Sequence, residues 1–254
     1  MKRVVVKVGS AVLTEKGEIA LSRMQALVNF LAELRKKYEV ILVSSGAVAG
    51  GYTKLKLDRT LLANKQALAA IGQPVLMQRY AKKFEKHDTI TAQVLVTAAN
   101  LNKDDDILRV RNTVETLLSN GVIPIVNEND ATATDELEVG DNDQLSAYIT
   151  HHTDADMLII LSDIDAYYDC DPRANSHAEP LKVVHEIQKS ELCKEVTPNN
   201  VFATGGIVTK LKAADYLLKN NKEMFLASGF DLSDVRSFML EGIHRGGTIF
   251  TTKR

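Results

Sequence analysis

The sequence predicts an α/β protein, a three-layer αβα sandwich around a mainly parallel sheet. Apolar runs rich in β-branched residues occupy consecutive positions rather than alternate ones, which is typical of parallel strands buried on both faces. Amphipathic stretches of helical length separate these runs along the chain. The four runs cover residues 4–8, 40–43, 122–126 and 157–161.

The first run begins a strand–helix–strand unit. After the strand Val4–Val8, Ser22 and Gln25 have the spacing of a capping box, which predicts the start of a helix at Ser22. Apolar residues then recur at helical spacing as far as Leu34. Because the strand at 40–43 follows, the unit predicts a right-handed crossover between parallel strands.

The rest of the chain continues the alternation of helices and strands. Further helices are predicted at 61–71, 75–84, 109–120, 144–152, 210–220 and 233–241, and further strands at 89–96, 223–227 and 248–250. Residues 169–180 are rich in Asp, Pro, Asn and Ser and predict a loop rather than a linker between domains.

Composition excludes several classes of protein. A chain of 254 residues can bury roughly 75% of its unfolded surface without a metal or disulfide. A net charge of −2 gives no basic field for nucleic acid. Cys170 and Cys193 lie far apart with no CxxC motif, and no apolar run approaches the ~20 residues of a membrane span. The expectation is a cytoplasmic protein that binds neither nucleic acid nor membrane.

Small and charged residues follow the first two strands, where open parallel sheets bind ligands. Lys7 lies within an apolar run just before Gly9, where a cation is costly unless it reaches an anion. The alternative is a lysine whose charge extends to water at the strand edge. Ser45 and Gly46 begin a run of small residues that can expose backbone N–H groups to an anion, although a tight turn without a ligand would look the same.

Two acidic motifs, VNENDA at 126–131 and VGDND at 139–143, supply hydrogen-bond acceptors beside a strand end and a helix start. The first contains Asn127 and Asp130, and the second contains Asp141, Asn142 and Asp143. Such groups suit a ligand with a positive amino group. A helix cap with a solvated turn is the competing interpretation.

Thr204, Gly205 and Gly206 precede a predicted helix that contains Lys210. The segment is similar in chemistry to a phosphate loop but lacks the GxxxxGK[ST] spacing. A lysine at a helix start meets the positive end of the helix dipole, which is unfavourable unless an anion is bound. Lys210 is therefore a candidate functional residue.

Together these segments resemble the amino acid kinase family, and within it the kinases that phosphorylate the side-chain carboxylate of L-glutamate. The resemblance spans nearly the whole chain, and it also rests on Ser162-Asp163 and on the DPR sequence at 171–173. The pair of VNEND and VGDND is its most specific part. In two places the chain departs from the family pattern: Ala166-Tyr167-Tyr168 stands where Gly-Leu-Tyr is usual, and Ala203 replaces a common glycine.

The resemblance implies a role for each matching residue. Lys7 and Lys210 would flank the transferring phosphoryl group, with Asp143 orienting them. Contacts to the amino acid would come from Ser45, Gly46, Asn127, Asp130, Asp141 and Asn142. Contacts to ATP would come from Lys7, Gly9, Ser162, Asp163, Thr204, Gly205, Gly206, Ile207, Val208, Thr209 and Lys210.

The resemblance also implies one kinase domain over 1–254, with an amino-acid-binding lobe over about 1–155 and a nucleotide-binding lobe over 156–254. The C-terminal PUA domain of many such kinases is not expected. ATP, L-glutamate and Mg²⁺ held by ATP phosphates and water are the implied ligands, with no metal ligands from the chain. Proline is implied as a feedback inhibitor in proline biosynthesis, and a homodimer or homotetramer is the expected assembly.

Two alternatives to this function stay open on the sequence alone. One keeps the family but changes the acceptor to aspartate, N-acetylglutamate, carbamate or a nucleoside monophosphate; the two acidic motifs argue against it. The other is a sensor that binds glutamate or proline without phosphoryl transfer. The presence of both Lys7 and Lys210 argues against a sensor, which has no need of two lysines beside a triphosphate.

Overall fold

The strands of the protein form one large sheet and one small hairpin. The computed structural model describes residues 1–101, 103–132, 142–175, 177–192 and 206–253. Within them the strands are β1 (Lys2–Val8), β2 (Thr14–Glu15), β3 (Glu18–Ile19), β4 (Tyr38–Ser44), β5 (Thr91–Val96), β6 (Ile123–Glu128), β7 (Met157–Ser162), β8 (Val183–Val184), β9 (Glu223–Ser228) and β10 (Thr248–Phe250).

The large sheet has the strand order β5-β6-β4-β1-β7-β9-β10-β8, and β2 pairs with β3 in the hairpin. All neighbours in the large sheet are parallel except β9 and β10, which are antiparallel. Central strand β1 pairs on both sides: Val6 lies opposite Leu42 of β4 and Ile159 of β7. The prediction of a mainly parallel sheet is confirmed.

Helices connect the strands. They are α1 (Ser10–Leu13), α2 (Leu21–Leu34), α3 (Ala47–Tyr52), α4 (Leu62–Phe84), α5 (Asp104–Ser119), α6 (Asn142–His152), α7 (Lys189–Leu192), α8 (Ile207–Lys219) and α9 (Ser233–Arg236). Short 3₁₀ turns lie at Glu85–His87 and Ala98–Leu101, and a π-helical turn at Ser237–Glu241 follows α9. No helix in the described part of the chain is both long enough and apolar enough to cross a membrane.

Two hydrophobic cores cover the two faces of the sheet. Because strand side chains alternate between faces, Val4 and Val6 of β1 pack with α2, α4 and α9. Val5 of the same strand packs on the other face with α5, α6 and α8. All three valines are at most 1% exposed. These layers confirm the predicted αβα sandwich.

Several predicted helix boundaries were wrong. Helix α5 begins at Asp104 rather than at residue 109, and two further errors have a clear physical cause. Pro74 lies inside the continuous helix α4 instead of separating two helices. Proline removes one intrahelical hydrogen bond and costs about 3 kcal/mol in a helix interior. Leu76, Tyr80 and Phe84 beyond it are fully buried in the core, and that burial outweighs the cost.

The other error is the capping box. Helix α2 begins after Ala20, so Ser22 lies within its first turn, and no side chain caps the helix. Gln25 instead donates a hydrogen bond to Asn29 and accepts one from Lys83 of α4. The side chain of Gln25 therefore links two helices rather than closing an N-terminus.

Helices α3 and α4 pack closely through glycines. A Cβ atom on Gly72 of α4 would overlap the carbonyl oxygen of Ala47 in α3, and one on Gly51 of α3 would overlap the carbonyl oxygen of Leu68 in α4. A Cβ atom on Gly50 would likewise lie only 2.9 Å from the carbonyl oxygen of Gly72. Gly50 and Gly51, which the sequence places in a possible anion-binding run, thus allow two backbones to touch.

Gly72→Ala should lower the free energy of unfolding by at least about 2 kcal/mol, because the added methyl group overlaps backbone that cannot move aside. Helix propensity alone predicts the opposite, a gain of about 1 kcal/mol for Gly→Ala. Urea denaturation measures the sign. As a control, Ala67→Gly at an exposed position of α4 should cost only about 1 kcal/mol. A Gly72→Ala protein as stable as the parent would contradict the close packing.

Candidate active site

The carboxyl ends of four neighbouring parallel strands, in the order β6, β4, β1 and β7, lie along one edge of the sheet. Gly9 follows β1, Ser45 follows β4 and Asp163 follows β7, while β6 ends at Glu128. Open α/β sheets bind ligands beyond this edge. The polar motifs found in the sequence therefore meet where a ligand site is expected.

At this edge one buried carboxylate joins two buried lysines. Lys7 of β1 donates a hydrogen bond to Oδ1 of Asp143, which lies in the first turn of α6. Nζ of Lys210, near the start of α8, lies 3.1 Å from Oδ2 of the same carboxylate. Lys7, Asp143 and Lys210 are 5%, 0% and 3% exposed. We call these three residues the Lys–Asp–Lys bridge.

The two lysines of the Lys–Asp–Lys bridge stabilise the ionised form of Asp143. Burial acts to raise the pKa of Asp143, but the charges of Lys7 and Lys210 and their hydrogen bonds outweigh it, so this pKa lies well below its usual range. The carboxylate is therefore ionised throughout the neutral pH range. Two ammonium groups and one carboxylate carry one net positive charge, and a buried positive charge favours an anion beside it.

The N-terminus of α8 adds to this positive potential. Oγ1 of Thr209 lies 3.0 Å from Oδ2 of Asp143 and 2.9 Å from the carbonyl oxygen of Gly206, the residue that precedes the helix. The backbone N–H groups of the first turn carry the positive end of the helix dipole. Lysine charges and helix dipole thus converge on one place, a combination suited to phosphate groups.

A cavity of about 690 Å³ lies beside the bridge. The loop after β4 forms its floor, where Gly46 has a φ of 103°, a left-handed conformation that favours glycine. The lining residues are Ser10, Thr14, Gly17, Ser45, Gly46, Ala47, Val48, Ala49, Tyr52, Leu57, Asp58, Arg59, Thr60, Lys65, Asn127, Glu128, Asp130 and Asn142. We call this space the acidic cavity, after the carboxylates of Glu128 and Asp130 on its wall.

Glu128 and Asp130 hold their protons more tightly than exposed carboxyl groups. Burial, with a smaller contribution from the neighbouring Asp130, raises the pKa of Glu128 to about 7. Burial raises the pKa of Asp130 to about 6. A cationic ligand would stabilise both carboxylates, because a nearby positive charge favours the ionised form that burial disfavours.

Asn142 connects the acidic cavity to the strand ends. Its Nδ2 lies 2.8 Å from Oγ of Ser45, 3.1 Å from the carbonyl oxygen of Ser44 and 3.2 Å from Oδ1 of Asn127. Because Asn142 precedes Asp143 in the first turn of α6, the cavity wall and the Lys–Asp–Lys bridge are adjacent.

The outer wall of the acidic cavity comes from the loop between α3 and α4, which the sequence analysis did not identify. The guanidinium of Arg59 lies 4.3 Å from the ring centroid of Tyr52, and Nζ of Lys56 lies 4.0 Å from the same centroid. Oδ1 of Asp58 accepts a hydrogen bond of 2.8 Å from the hydroxyl of Thr60. In the sequence this loop mixes charged residues with leucines and contains no recognisable motif, so nothing distinguishes it from an ordinary surface loop.

A second cavity, of about 350 Å³, opens beyond β7. It is lined by Asp163, Ile164, Asp165, Ala166, Tyr167, Tyr168, Asp169, Cys170, Asp171, Pro172, Arg173, Glu191, Ile207, Val208 and Leu211. Ile207 and Val208 begin α8, so this cavity shares a wall with the helix that carries Lys210. Buried Ser162 donates a hydrogen bond of 2.9 Å to Oδ1 of Asp163 at its entrance.

Ala166 and Tyr167, which depart from the family pattern, form an ordered part of the second cavity. The backbone N–H of Tyr167 donates a hydrogen bond of 2.8 Å to Oγ1 of Thr248, and its ring lies 6.1 Å from that of Phe250. Ala166 is 3% exposed. These contacts fix the loop against β10.

The structure places the predicted site residues in three groups. The bridge contains Lys7, Asp143 and Lys210; Ser45, Gly46, Asn127, Asp130 and Asn142 line the acidic cavity; Asp163, Ile207 and Val208 line the second cavity. The N–H of Gly9 donates to the carbonyl oxygen of Leu161 at 3.1 Å, so it hydrogen-bonds within the sheet rather than to a ligand. Asp141, Ala203, Thr204 and Gly205 lie outside the described residues.

Comparison with known proteins identifies the family of the chain. The profile of the amino acid kinase family matches residues 2–228. The chain is 52% identical to the glutamate 5-kinase of Leishmania donovani over 253 residues, covering 100% of this chain and 96% of that protein. It is 53% identical to the glutamate 5-kinase of Wolinella succinogenes over 255 residues, covering 98% of each.

Solved structures share the fold at low sequence identity. Isopentenyl phosphate kinase of T. acidophilum has a TM-score of 0.68 at 15% identity, covering 98% of this chain and 100% of that one. Carbamate kinase from Giardia lamblia, bound to AMP-PNP, has a TM-score of 0.65 at 15% identity and 98% coverage of both chains. The chain therefore belongs to the amino acid kinase family and, within it, groups with the glutamate 5-kinases.

Proposed function

We propose that the protein transfers the γ-phosphoryl group of ATP to the γ-carboxylate of L-glutamate, giving γ-glutamyl phosphate and ADP. The observation that carries the proposal is the position of the Lys–Asp–Lys bridge, next to the acidic cavity and sharing helix α8 with the second cavity. The identity of more than 50% with two glutamate 5-kinases supports L-glutamate as the acceptor. We further propose that residues 1–155 bind the amino acid and 156–254 the nucleotide.

The acidic cavity is suited to the amino-acid end of glutamate. The α-ammonium group would lie against the carboxylates of Glu128 and Asp130, whose burial makes a cationic partner favourable. The α-carboxylate would be directed toward the outer wall, where Arg59 and Lys65 supply positive charge. The γ-carboxylate would then extend toward Lys7 and the bridge.

Phosphoryl transfer at the bridge needs no catalytic base. The γ-carboxylate has a pKa of about 4.3 and is ionised at neutral pH, so it attacks phosphorus without losing a proton. The obstacle is repulsion between the carboxylate and the triphosphate. Lys7 and Lys210 offset this repulsion and stabilise the charge that spreads over the transferred group. Asp143 holds both ammonium groups in place.

ATP would lie along the second cavity with its phosphates at the start of α8. Ser162 and Asp163 stand at the entrance of that cavity, and Thr209 fixes the first turn of α8 against Asp143. Mg²⁺ bound to the ATP phosphates would neutralise charge on the leaving group. In the described part of the chain no group of three His, Cys, Asp or Glu residues could hold a metal ion, so we propose that Mg²⁺ binds through phosphate and water.

We also propose that proline inhibits the protein by competing for the acidic cavity, since it shares the α-amino and α-carboxylate groups of glutamate. The proposed role is then the first step of proline biosynthesis, in the cytoplasm. A homodimer or homotetramer is the assembly we propose.

The reaction is tested by trapping the acyl phosphate with hydroxylamine in the presence of ATP and Mg²⁺. We expect a hydroxamate with L-glutamate and none above background with L-aspartate, N-acetylglutamate or carbamate. Product with another acceptor would keep the kinase chemistry but overturn the choice of substrate. Glutamate binding by calorimetry without any product would instead indicate a sensor.

Lys210→Ala should lower kcat by about 10²- to 10³-fold, because it removes a preorganised charge that acts on the transition state. The melting temperature should change little, since Asp143 keeps its contact with Lys7. Lys212→Ala is the matched control, because Lys212 lies on the same helix but is exposed. Comparable turnover in the two variants would remove Lys210 from the mechanism.

The KM for glutamate should rise about tenfold as pH falls from 8 to 6. The raised pKa values of Glu128 and Asp130, about 7 and 6, mean that both carboxylates are ionised at pH 8 and become protonated over this range. Protonated carboxyl groups no longer attract the ammonium group. The KM for ATP should stay level, and Asp130→Asn should flatten the dependence for glutamate. An unchanged KM across this range in the parent protein would contradict the ammonium site.

A further inference from the structure

We propose that Gln73, which does not line the acidic cavity, is a positioning residue for glutamate binding. Through Asn127 it fixes the side-chain amide of Asn142 so that the oxygen of that amide is presented to the substrate. The inference rests on the proposed function, because it assigns the group of glutamate that this oxygen meets.

Four side-chain amides form one continuous chain of hydrogen bonds. Nδ2 of Asn142 donates to Oδ1 of Asn127 at 3.2 Å, and Nδ2 of Asn127 donates to Oε1 of Gln73 at 2.9 Å. Nε2 of Gln73 then donates to Oε1 of Gln93 at 3.1 Å. The chain runs from α6 through β6 and α4 to β5, at the edge of the sheet. We call it the amide relay.

Two backbone groups fix the direction of the amide relay. The N–H of Glu128 can only donate, and it donates to Oδ1 of Asn127 at 3.0 Å. The carbonyl oxygen of Ser44 can only accept, and it accepts from Nδ2 of Asn142 at 3.1 Å. Turning over either asparagine amide would set two donors or two acceptors against each other. These two backbone groups decide which way each asparagine amide faces, and the hydrogen bonds of Asn127 with Gln73 and with Asn142 then hold the two amides in place.

The orientation of the Asn142 amide determines which group of the ligand it can bind. The two hydrogens of Nδ2 are shared among the acceptors of Ser44, Ser45 and Asn127, whereas Oδ1 of Asn142 accepts no hydrogen bond from the residues that the structure describes. Both carboxylates of glutamate are also acceptors and gain nothing from this oxygen. The α-ammonium group is the only strong donor on the substrate, so it is the group that Oδ1 of Asn142 binds.

Gln73 is placed to hold this arrangement rigid. It is 7% exposed and follows Gly72, whose backbone touches α3. Without the oxygen of Gln73, Nδ2 of Asn127, in a side chain 1% exposed, would lose its acceptor. A buried donor without a partner is costly, so Asn127 would shift to recover one and its hydrogen bond with Asn142 would weaken. The amide of Asn142 would then be held by Ser44 and Ser45 alone.

Gln73→Met tests the inference, because methionine keeps the length of the side chain and removes both hydrogen bonds. We expect the KM for glutamate to rise about tenfold, as for loss of a well-oriented hydrogen bond to a charged group. The inhibition constant of glutarate, which lacks the α-amino group, and the KM for ATP should stay within twofold of the parent values. The change in glutamate-to-glutarate discrimination is the decisive quantity.

Two further variants separate positioning from loss of stability. Thr153→Val removes a buried hydrogen bond to the carbonyl oxygen of Ile149 at the C-terminal end of α6. Because Thr153 does not belong to the amide relay, this variant should leave the glutamate-to-glutarate discrimination unchanged. Gln93→Met changes the exposed end of the amide relay, so it tests the relay even if Gln73→Met fails to fold. We expect it to change the glutamate-to-glutarate discrimination in the same direction as Gln73→Met, by a smaller factor.

Equal losses for glutamate and glutarate in the Gln73 and Gln93 variants, or a lower kcat with unchanged discrimination, would overturn the positioning role. A parent protein that forms no γ-glutamyl phosphate would overturn the proposed function and the ammonium assignment with it. An active parent with an unaffected Gln73→Met variant would overturn the inference alone.

Discussion

The architecture of the site depends on one ionic contact, the carboxylate of Asp143 held between Lys7 and Lys210. Lys7 lies among the buried residues of β1, and Lys210 lies among the buried residues of α8. Burying an ammonium group without a counter-ion is costly. Asp143 supplies it at the start of α6, which packs against both elements. The same contact joins the first strand to a helix near the end of the chain, so folding itself assembles the charges proposed to act on phosphate.

The second constraint is the contact between α3 and α4. Gly51 and Gly72 bring the two backbones together, and that approach sets Ser45 and Gly46 on one side and Gln73 on the other. The floor of the acidic cavity and the middle of the amide relay are therefore positioned by the same packing. A site built on packed helices and strand ends is more rigid than one built on loops alone. The outer wall, from Tyr52 at the end of α3 to Thr60, comes mostly from a loop.

Sequence patterns were sufficient for most of the fold, because buried parallel strands and amphipathic helices each leave a distinct spacing of apolar residues. They failed at Pro74 and at Ser22. Local rules place a helix end at the first and a helix start at the second, and in both cases packing against neighbouring elements prevailed. The lysines of the bridge could be recognised from the sequence, because a positive charge within an apolar run or at the start of a helix is unfavourable without an anion nearby. Arg59 and Gln73 could not be recognised in this way, because an arginine in a surface loop and a glutamine on a helix are common in any protein.

The sequence by itself determined the fold class, the family resemblance and the set of charged residues at the strand ends, because these follow from residue type and spacing. Only the tertiary structure decided which of those charges meet. Asp143 could have been a helix cap or a solvated acid; its burial between two lysines follows from the packing of α6 against both β1 and α8. The direction of the Asn142 amide is likewise absent from the sequence. It is set by the carbonyl oxygen of Ser44, which Asn142 contacts directly, and by the N–H of Glu128, which acts through Asn127. The pairing of β4 with β6 brings these groups together.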